Sequence, residues 1–313
     1  MKNNFILVVS GEPRSIFLEI FFKAIKNKKY KSPIILICNK KILMGHMKKN
    51  NFKRKLKILK IEQLNKRKLD NSHINLIDVK FNKNNKNKYL NDSFKISFNL
   101  IKNKFSFKLI NGPINKTTFL KKKFLGITEY VSQEFKIINT GMLIYNKELS
   151  VVPLTTHLPL KLVPKKISKR LIENKIKLVH NFYRKHFKFN PKIAVTGLNP
   201  HCESILSYNE DFKLISPVIN SIRKKKINVK GPYPADTIFL KNVRKNFNVI
   251  IGMYHDQVLT PIKTLYEFDA INITMGLPFL RITPDHGPNE KMVGKNKSDP
   301  ISIINALNFL DRN

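Results

Sequence analysis

A chain of 313 residues with 42% hydrophobic content is long enough for a sizeable core and for two lobes, and no apolar run approaches the roughly 20 residues of a membrane span. Two cysteines, Cys38 and Cys202, exclude a disulfide framework and fit a reducing cytoplasm. The formal charge of +38, from 59 Lys plus Arg against 21 Asp plus Glu, would suit a polyanion partner, but the lysines are scattered from Lys2 to Lys297 with no aromatic-basic interleaving, so the excess reads as compositional bias dressing the surface rather than a nucleic-acid module.

At the N-terminus a basic start and a short apolar run raise a signal peptide, but Gly11-Glu12-Pro13 stands where a small-residue cleavage site is needed, and the run reads as a strand. Phe5 to Val9, Ser15 to Lys26 and Pro33 to Cys38 read as strand, helix and strand, an alternation that predicts a parallel α/β sheet. Further strands are predicted at Ile74 to Val79, Met142 to Tyr145, Ser150 to Leu154, Ile193 to Thr196, Val249 to Met253 and Ala270 to Thr274, with helical patterns at Lys169 to Lys185 and Pro217 to Lys225. The low-complexity stretch Phe81 to Lys88 reads as a solvated loop. No internal repeat and no Gly/Pro/Ser-rich linker is present, so two lobes would share elements closely.

Three of the predicted strands end in the same way. Val151-Val-Pro-Leu-Thr-Thr-His157, Ile193-Ala-Val-Thr-Gly-Leu-Asn-Pro-His201 and Val249-Ile-Ile-Gly-Met-Tyr-His255 each put a histidine just past a strand's carboxyl end, the edge where open α/β sheets bind ligands. Neutral imidazoles converging from separate strands are what a divalent metal with open coordination positions requires. Asp236 and Asp256 lie nearby in sequence, followed by Lys263, Asn272, Arg281, Asp285 and His286. Arg281 follows the apolar turn Gly276-Leu-Pro-Phe-Leu280, where a charge is costly unless a phosphate or carboxylate pairs with it.

Together these residues resemble the 4-hydroxythreonine-4-phosphate dehydrogenase family of pyridoxal phosphate biosynthesis. The resemblance is carried by Tyr254-His-Asp-Gln-Val-Leu-Thr-Pro-Ile-Lys263 continuing to Asp285-His286-Gly287, by Thr155-Thr-His-Leu-Pro-Leu160, Gly197-Leu-Asn-Pro-His201 and Gly231-Pro-Tyr-Pro-Ala-Asp236, and by Gly112-Pro-Ile-Asn-Lys116, in the family's order. It implies an α/β fold with the two-domain architecture of the isocitrate and isopropylmalate dehydrogenases and an active site in the interdomain cleft, completed across a homodimer. The corresponding domains are 1–125 with 275–313, and 126–274, the second carrying metal ligands and the dimer interface. His157, His201 and His255 match the family's ligands to a divalent metal (zinc, magnesium or cobalt), and Thr128, Lys263, Asn272 and Arg281 match its substrate-binding positions. NAD is the implied acceptor, although no Gly-x-Gly-x-x-Gly follows a strand here, and this family is similar in lacking one. The implied reaction oxidises 4-phosphooxy-L-threonine and decarboxylates the product, in the cytoplasm, with no nucleic-acid or membrane partner. Lys263 and Asp256 are candidates for the proton acceptor, and Asp236 for that role or for orienting a ligand.

Two departures from the family pattern stand out. Gly126-Ile-Thr-Glu129 has Ile127 where the family usually has histidine, and Gly11-Glu-Pro-Arg-Ser-Ile-Phe-Leu-Glu19 lacks two glycines and a proline of the usual loop. Both leave open a related phosphorylated hydroxy acid, such as a phosphorylated threonate or erythronate, as substrate.

Overall fold

The structure, a computed structural model, describes residues 5–26, 28–66, 69–115, 119–120, 124, 126–203, 208–284 and 286–313. Asp285 and Lys116, both part of the motifs above, lie outside them. The chain divides into two compact units, 1–130 with 278–313 and 131–277. These boundaries lie three to five residues from those drawn on the sequence, enough to put Thr128 in the first unit with Arg281.

In unit 1, β1 (Ile6–Val9), β2 (Ile34–Cys38), β3 (Leu56–Ile58), β4 (Ile74–Asp78), β5 (Lys108–Asn111) and β12 (Leu280–Pro284) lie in the order β3-β4-β2-β1-β5-β12. Every pairing is parallel. Strands β1, β2 and β5 are buried along their whole length, which is why β1 and β2 read as unbroken apolar runs rather than alternations. The helices are α1 (Phe17–Lys26), α2 (Lys40–Lys49), α3 (Lys86–Lys102) and α10 (Ile301–Arg312), with α4 (Ile127–Glu134) at the boundary between units.

Helix α3 corrects the loop expected at Phe81 to Lys88, since residues 86–88 form its first turn. Asn85 caps it, its side chain accepting from the Lys88 amide, and Asn82 does the same for Asn84. Asparagine-rich composition, which resembles disorder when counted, supplies side-chain acceptors for helix-end amides. Downstream, Tyr89, Leu90, Phe94, Phe98 and Ile101 bury one face of the helix.

In unit 2, β6 (Gly141–Tyr145), β7 (Ser150–Pro153), β8 (Ile193–Thr196), β9 (Val229–Tyr233), β10 (Val249–Gly252) and β11 (Ile271–Met275) follow the order β11-β6-β7-β10-β8-β9. The β11-β6 and β6-β7 pairings are antiparallel, and β7-β10-β8-β9 is a parallel block. Its helices are α5 (Val163–Lys166), α6 (Lys169–His186), α7 (Ser216–Lys224), α8 (Lys241–Arg244) and α9 (His255–Tyr266). No helix among the described residues is long and apolar enough to cross a membrane.

Candidate active site

The parallel block of unit 2 fixes where the three histidines go. Strands β7, β10, β8 and β9 are neighbours running the same way, so the loops that follow them emerge on one edge and carry, in spatial order, His157, His255, His201 and Asp236. The rings of His157 and His255 stand 5.9 Å apart, centroid to centroid. His255 opens α9, and its Nδ1 lies 2.6 Å from Oδ1 of the next residue, Asp256. A carboxylate on Nδ1 holds the proton there and leaves the Nε2 lone pair available, the arrangement that orients imidazole ligands. His201 Nδ1 and Asp236 Oδ2 form a looser, exposed pair at 3.9 Å.

His157 and His201 also share an unusual backbone. Their φ angles are +51° and +55°, and Cys202 follows at +62°. A side chain in this left-handed region costs about 1 to 2 kcal/mol relative to the ordinary helical region, and such strain tends to gather where surrounding structure holds a functional side chain in place.

The loops are cross-tied by residues that the sequence did not single out. Buried Gln257 accepts from the Met253 amide at 2.7 Å and from the Thr196 hydroxyl at 2.8 Å, and donates to the Gly197 carbonyl at 2.8 Å, joining the loops of His255 and His201. The Thr155 hydroxyl donates to the Met253 carbonyl at 2.8 Å, joining those of His157 and His255. Asp211, 1% exposed, accepts from the amides of Leu198 (2.6 Å) and Asn199 (3.1 Å). A β-carbon on Gly197 would stand 2.6 Å from Cys202 Sγ and 2.7 Å from Asp211 Oδ1, so only glycine fits this turn. Nothing local marks Asp211 in the sequence, because its partners, two backbone amides and the Asn199 side chain, lie twelve or more residues upstream. Burial, with Asp211 beside it, pushes the Cys202 thiol up to about 11, so it stays protonated near neutral pH and is not a ready ligand or nucleophile.

The donor set of imidazoles braced by carboxylates suits a divalent transition metal. A single chain gathers part of such a centre: His157 and His255 are neighbours, whereas no group of three or more His, Cys, Asp or Glu converges among the described residues. Lys263 lies in the last turn of α9, its ammonium 5.7 Å from the centroid of the Phe268 ring. Eight helical residues separate it from His255, about 12 Å along the axis. Asn272 is half-buried in β11, and its side-chain oxygen is buried without a hydrogen-bond partner.

Arg281 and Thr128 belong to unit 1. Arg281, in β12, is fully buried. Its Nε donates to Asn111 Oδ1 at 2.9 Å, Nη2 to Thr283 Oγ1 at 2.9 Å and Nη1 to Thr128 Oγ1 at 3.3 Å. These acceptors are neutral; burial lowers the guanidinium to about 10, and the Glu129 carboxylate opposes that shift. Glu129 Oε2 is itself buried without a hydrogen-bond partner. A buried guanidinium can pair with an anionic ligand group as well as with the Glu129 carboxylate. Asn111 was missed because the short strand it ends, Lys108–Asn111, carries no apolar run to announce it. Its neighbour Gly112 sits where a β-carbon would stand 2.2 Å from the Ser10 carbonyl oxygen, so the loops after β1 and β5 meet backbone to backbone.

Residues 29–310 match the family described as "Pyridoxal phosphate biosynthetic protein PdxA". A 4-hydroxythreonine-4-phosphate dehydrogenase of Sulfurihydrogenibium sp. (strain YO3AOP1) is 33% identical over 314 residues, covering 96% of each chain. One from Bradyrhizobium diazoefficiens is 34% identical over 212 residues, 65% of this chain and 61% of that one. The crystal structure of the Klebsiella pneumoniae 4-hydroxythreonine-4-phosphate dehydrogenase superposes with a TM-score of 0.82 at 25% identity, covering 98% of both chains. With the family match spanning most of the sequence and one relative aligned almost from end to end, the chain belongs to the PdxA family.

Proposed function

We infer that this protein oxidises 4-phosphooxy-L-threonine with NAD and that the resulting β-keto acid loses carbon dioxide to give 3-amino-2-oxopropyl phosphate. The observation that carries the reading is the near-complete match to dehydrogenases of that name, and the buried guanidinium of Arg281 and the edge of braced imidazoles supply the two kinds of group the reaction needs. Arg281, with Thr128 beside it, holds an anionic group of the substrate, and Lys263 and Asn272 orient the rest. His157, His201 and His255 hold a divalent cation. When bound, that cation supplies Lewis acidity, lowering the pKa of the substrate hydroxyl and stabilising the negative charge left as carbon dioxide departs. Asp256 and Asp236 brace imidazoles at 2.6 Å and 3.9 Å, which casts them as positioning groups and leaves Lys263 Nζ as the candidate to receive the hydroxyl proton. One chain brings two of the three imidazoles together, and the reading has a second copy complete the site in a homodimer with an isocitrate dehydrogenase-like, two-domain arrangement.

The direct test is NADH formation from 4-phosphooxy-L-threonine, with and without a chelator. Turnover that the chelator abolishes and a divalent cation restores is expected. Absence of turnover with metal present, or turnover indifferent to chelation, would overturn the substrate or the metal assignment respectively. Reading all proposed groups into one site requires Arg281→Ala and His255→Ala to be strongly non-additive in kcat/KM.

A further inference from the structure

Along the sequence the lysines are scattered, but the fold gathers some of them. The strands of unit 1 run parallel, so the segments that enter them share one edge, opposite the edge where β5 ends in Asn111. The segment entering β2 carries Lys28, Lys29 and Lys31, and that entering β3 carries Lys53, Arg54 and Lys55. Lys104 stands in the segment entering β5. All but half-buried Arg54 are exposed, and residues 27–33, 50–55 and 103–107 include no Asp or Glu. General basicity of the chain does not account for this, because segments leaving the same sheet are mixed: Glu12 stands with Arg14 after β1, and Asp78 ends β4 ahead of Lys80 and Lys83. Nor does the preference for cations at helix carboxyl ends, which fades beyond the last turn; α1 ends at Lys26 and α2 at Lys49, short of all of them.

The edge is braced. Arg54 Nη2 donates to the Ile25 carbonyl at 3.0 Å, and the Phe52 ring stacks on Phe22 with centroids 4.5 Å apart, fixing the segment before β3 against α1. Asn71 Nδ2 donates to the carbonyls of Tyr30 and Ser32, each at 3.0 Å, fixing the segment before β2. The carboxylate of Asp311, from α10, accepts from the Lys31 and Ser32 amides at 3.0 and 2.7 Å, and that of Asp70 accepts from the Ser72 amide at 2.8 Å, so both serve to hold backbone. In the order β3-β4-β2-β1-β5 the outer two of the three basic segments lie four strand spacings apart, about 19 Å. Ring surface is scarce: Tyr30 is buried, and among the described residues Phe107 is the one large apolar side chain that these segments expose.

We propose that this edge binds the phosphate backbone of a double-helical nucleic acid without reading its sequence. A duplex carries one negative charge per about 1.7 Å of its axis, so a 19 Å row of cations faces a stretch with roughly eleven phosphates, about half of them on the near side. Bases splayed from a single strand need aromatic platforms, and a bilayer surface needs apolar side chains that insert beside the cations; one exposed ring serves neither. The backbone chemistry is common to RNA and DNA duplexes. The proposal stands apart from the dehydrogenase reading, because it uses no residue of that site and binding is read directly.

The test is fluorescence anisotropy of the full chain with labelled RNA and DNA duplexes of roughly 20 base pairs, from about 50 to 200 mM salt. With about five of the cations on phosphates, affinity should fall on the order of 500-fold across that range. Lys28→Glu, Lys53→Glu and Lys55→Glu together should weaken binding at the lower salt by at least about tenfold. Lys169→Glu, Lys224→Glu and Lys241→Glu, exposed positions of unit 2 that change the net charge equally, should together weaken it by less than about threefold. The milder pair Lys28→Gln with Lys53→Gln should reduce the steepness of log affinity against log salt by about 2. Binding of either duplex with this pattern supports the site. No binding of the unaltered protein to either duplex at the lower salt, equal losses in the two triple variants, a steepness that the glutamine pair leaves unchanged, or tighter binding to phosphatidylglycerol vesicles than to either duplex overturns it.

Discussion

Replacing Arg281 by methionine separates an anion-binding arginine from one that merely holds the fold. Burial lowers the guanidinium from its ordinary value to about 10; at about 1.4 kcal/mol per pH unit, keeping it charged in the fold costs on the order of 3 kcal/mol. Methionine has similar reach and no charge, so that cost disappears. Against it stands the loss of hydrogen bonds, among them those to Asn111, Thr283 and Thr128, worth about 1 kcal/mol each when both hydroxyls can turn to other partners. The two sums nearly cancel, and Arg281→Met should unfold in denaturant within about 2 kcal/mol of the parent. Its response to ligand should differ sharply. At a hundredfold excess over Kd, 4-phosphooxy-L-threonine should stabilise the parent by about 2.7 kcal/mol, and at matched ionic strength it should leave the variant unmoved. Equilibrium unfolding and thermal shift, each with and without the ligand, measure both quantities. A variant destabilised by more than about 4 kcal/mol, or one that keeps the full ligand shift, would refute the reasoning and make Arg281 a structural residue.

Because His157 has φ +51°, His157→Gly should be more stable than His157→Ala by about 1 kcal/mol, with both inactive; equal stability in denaturant melts would remove the strain argument. Lys175 in α6 is buried, donates to the Thr140 carbonyl at 3.1 Å and is lowered from 10.5 to about 8 by burial. Its folded pKa is below its unfolded one, so the penalty is full below about pH 8 and fades as pH rises to about 10.5; over that window the parent should gain roughly 3 kcal/mol relative to Lys175→Met, and parallel stability curves would contradict the assignment. Ile127 is half-buried at the head of α4 beside Thr128, whose hydroxyl touches Arg281. Ile127→His should lower KM for 4-phosphooxy-L-threonine by about tenfold with a smaller change in kcat, and a KM that does not fall would count against that substrate.

Much of this protein could be read without coordinates. Buried parallel strands must be apolar on both faces, so Phe5 to Val9, Pro33 to Cys38, Ser150 to Leu154, Ile193 to Thr196 and Val249 to Met253 announced themselves as runs, and histidines placed just past three of them could be assigned to one edge before any fold was known. A charge as costly to bury as Arg281 likewise stood out from its apolar neighbours. Tertiary structure decided what depends on partners distant in sequence. Asp211 and Gln257 hold the histidine loops largely through backbone groups, which leave little side-chain pattern to recognise. Asn111 meets Arg281 across 170 positions. The asparagine-rich stretch before Tyr89 became a helix start because its side chains cap amides, a role that composition does not record. The adjacency of His157 and His255 followed from strand order, because a chain's local pattern states which residues reach the edge of a sheet while only the pairing of strands determines which of them are neighbours.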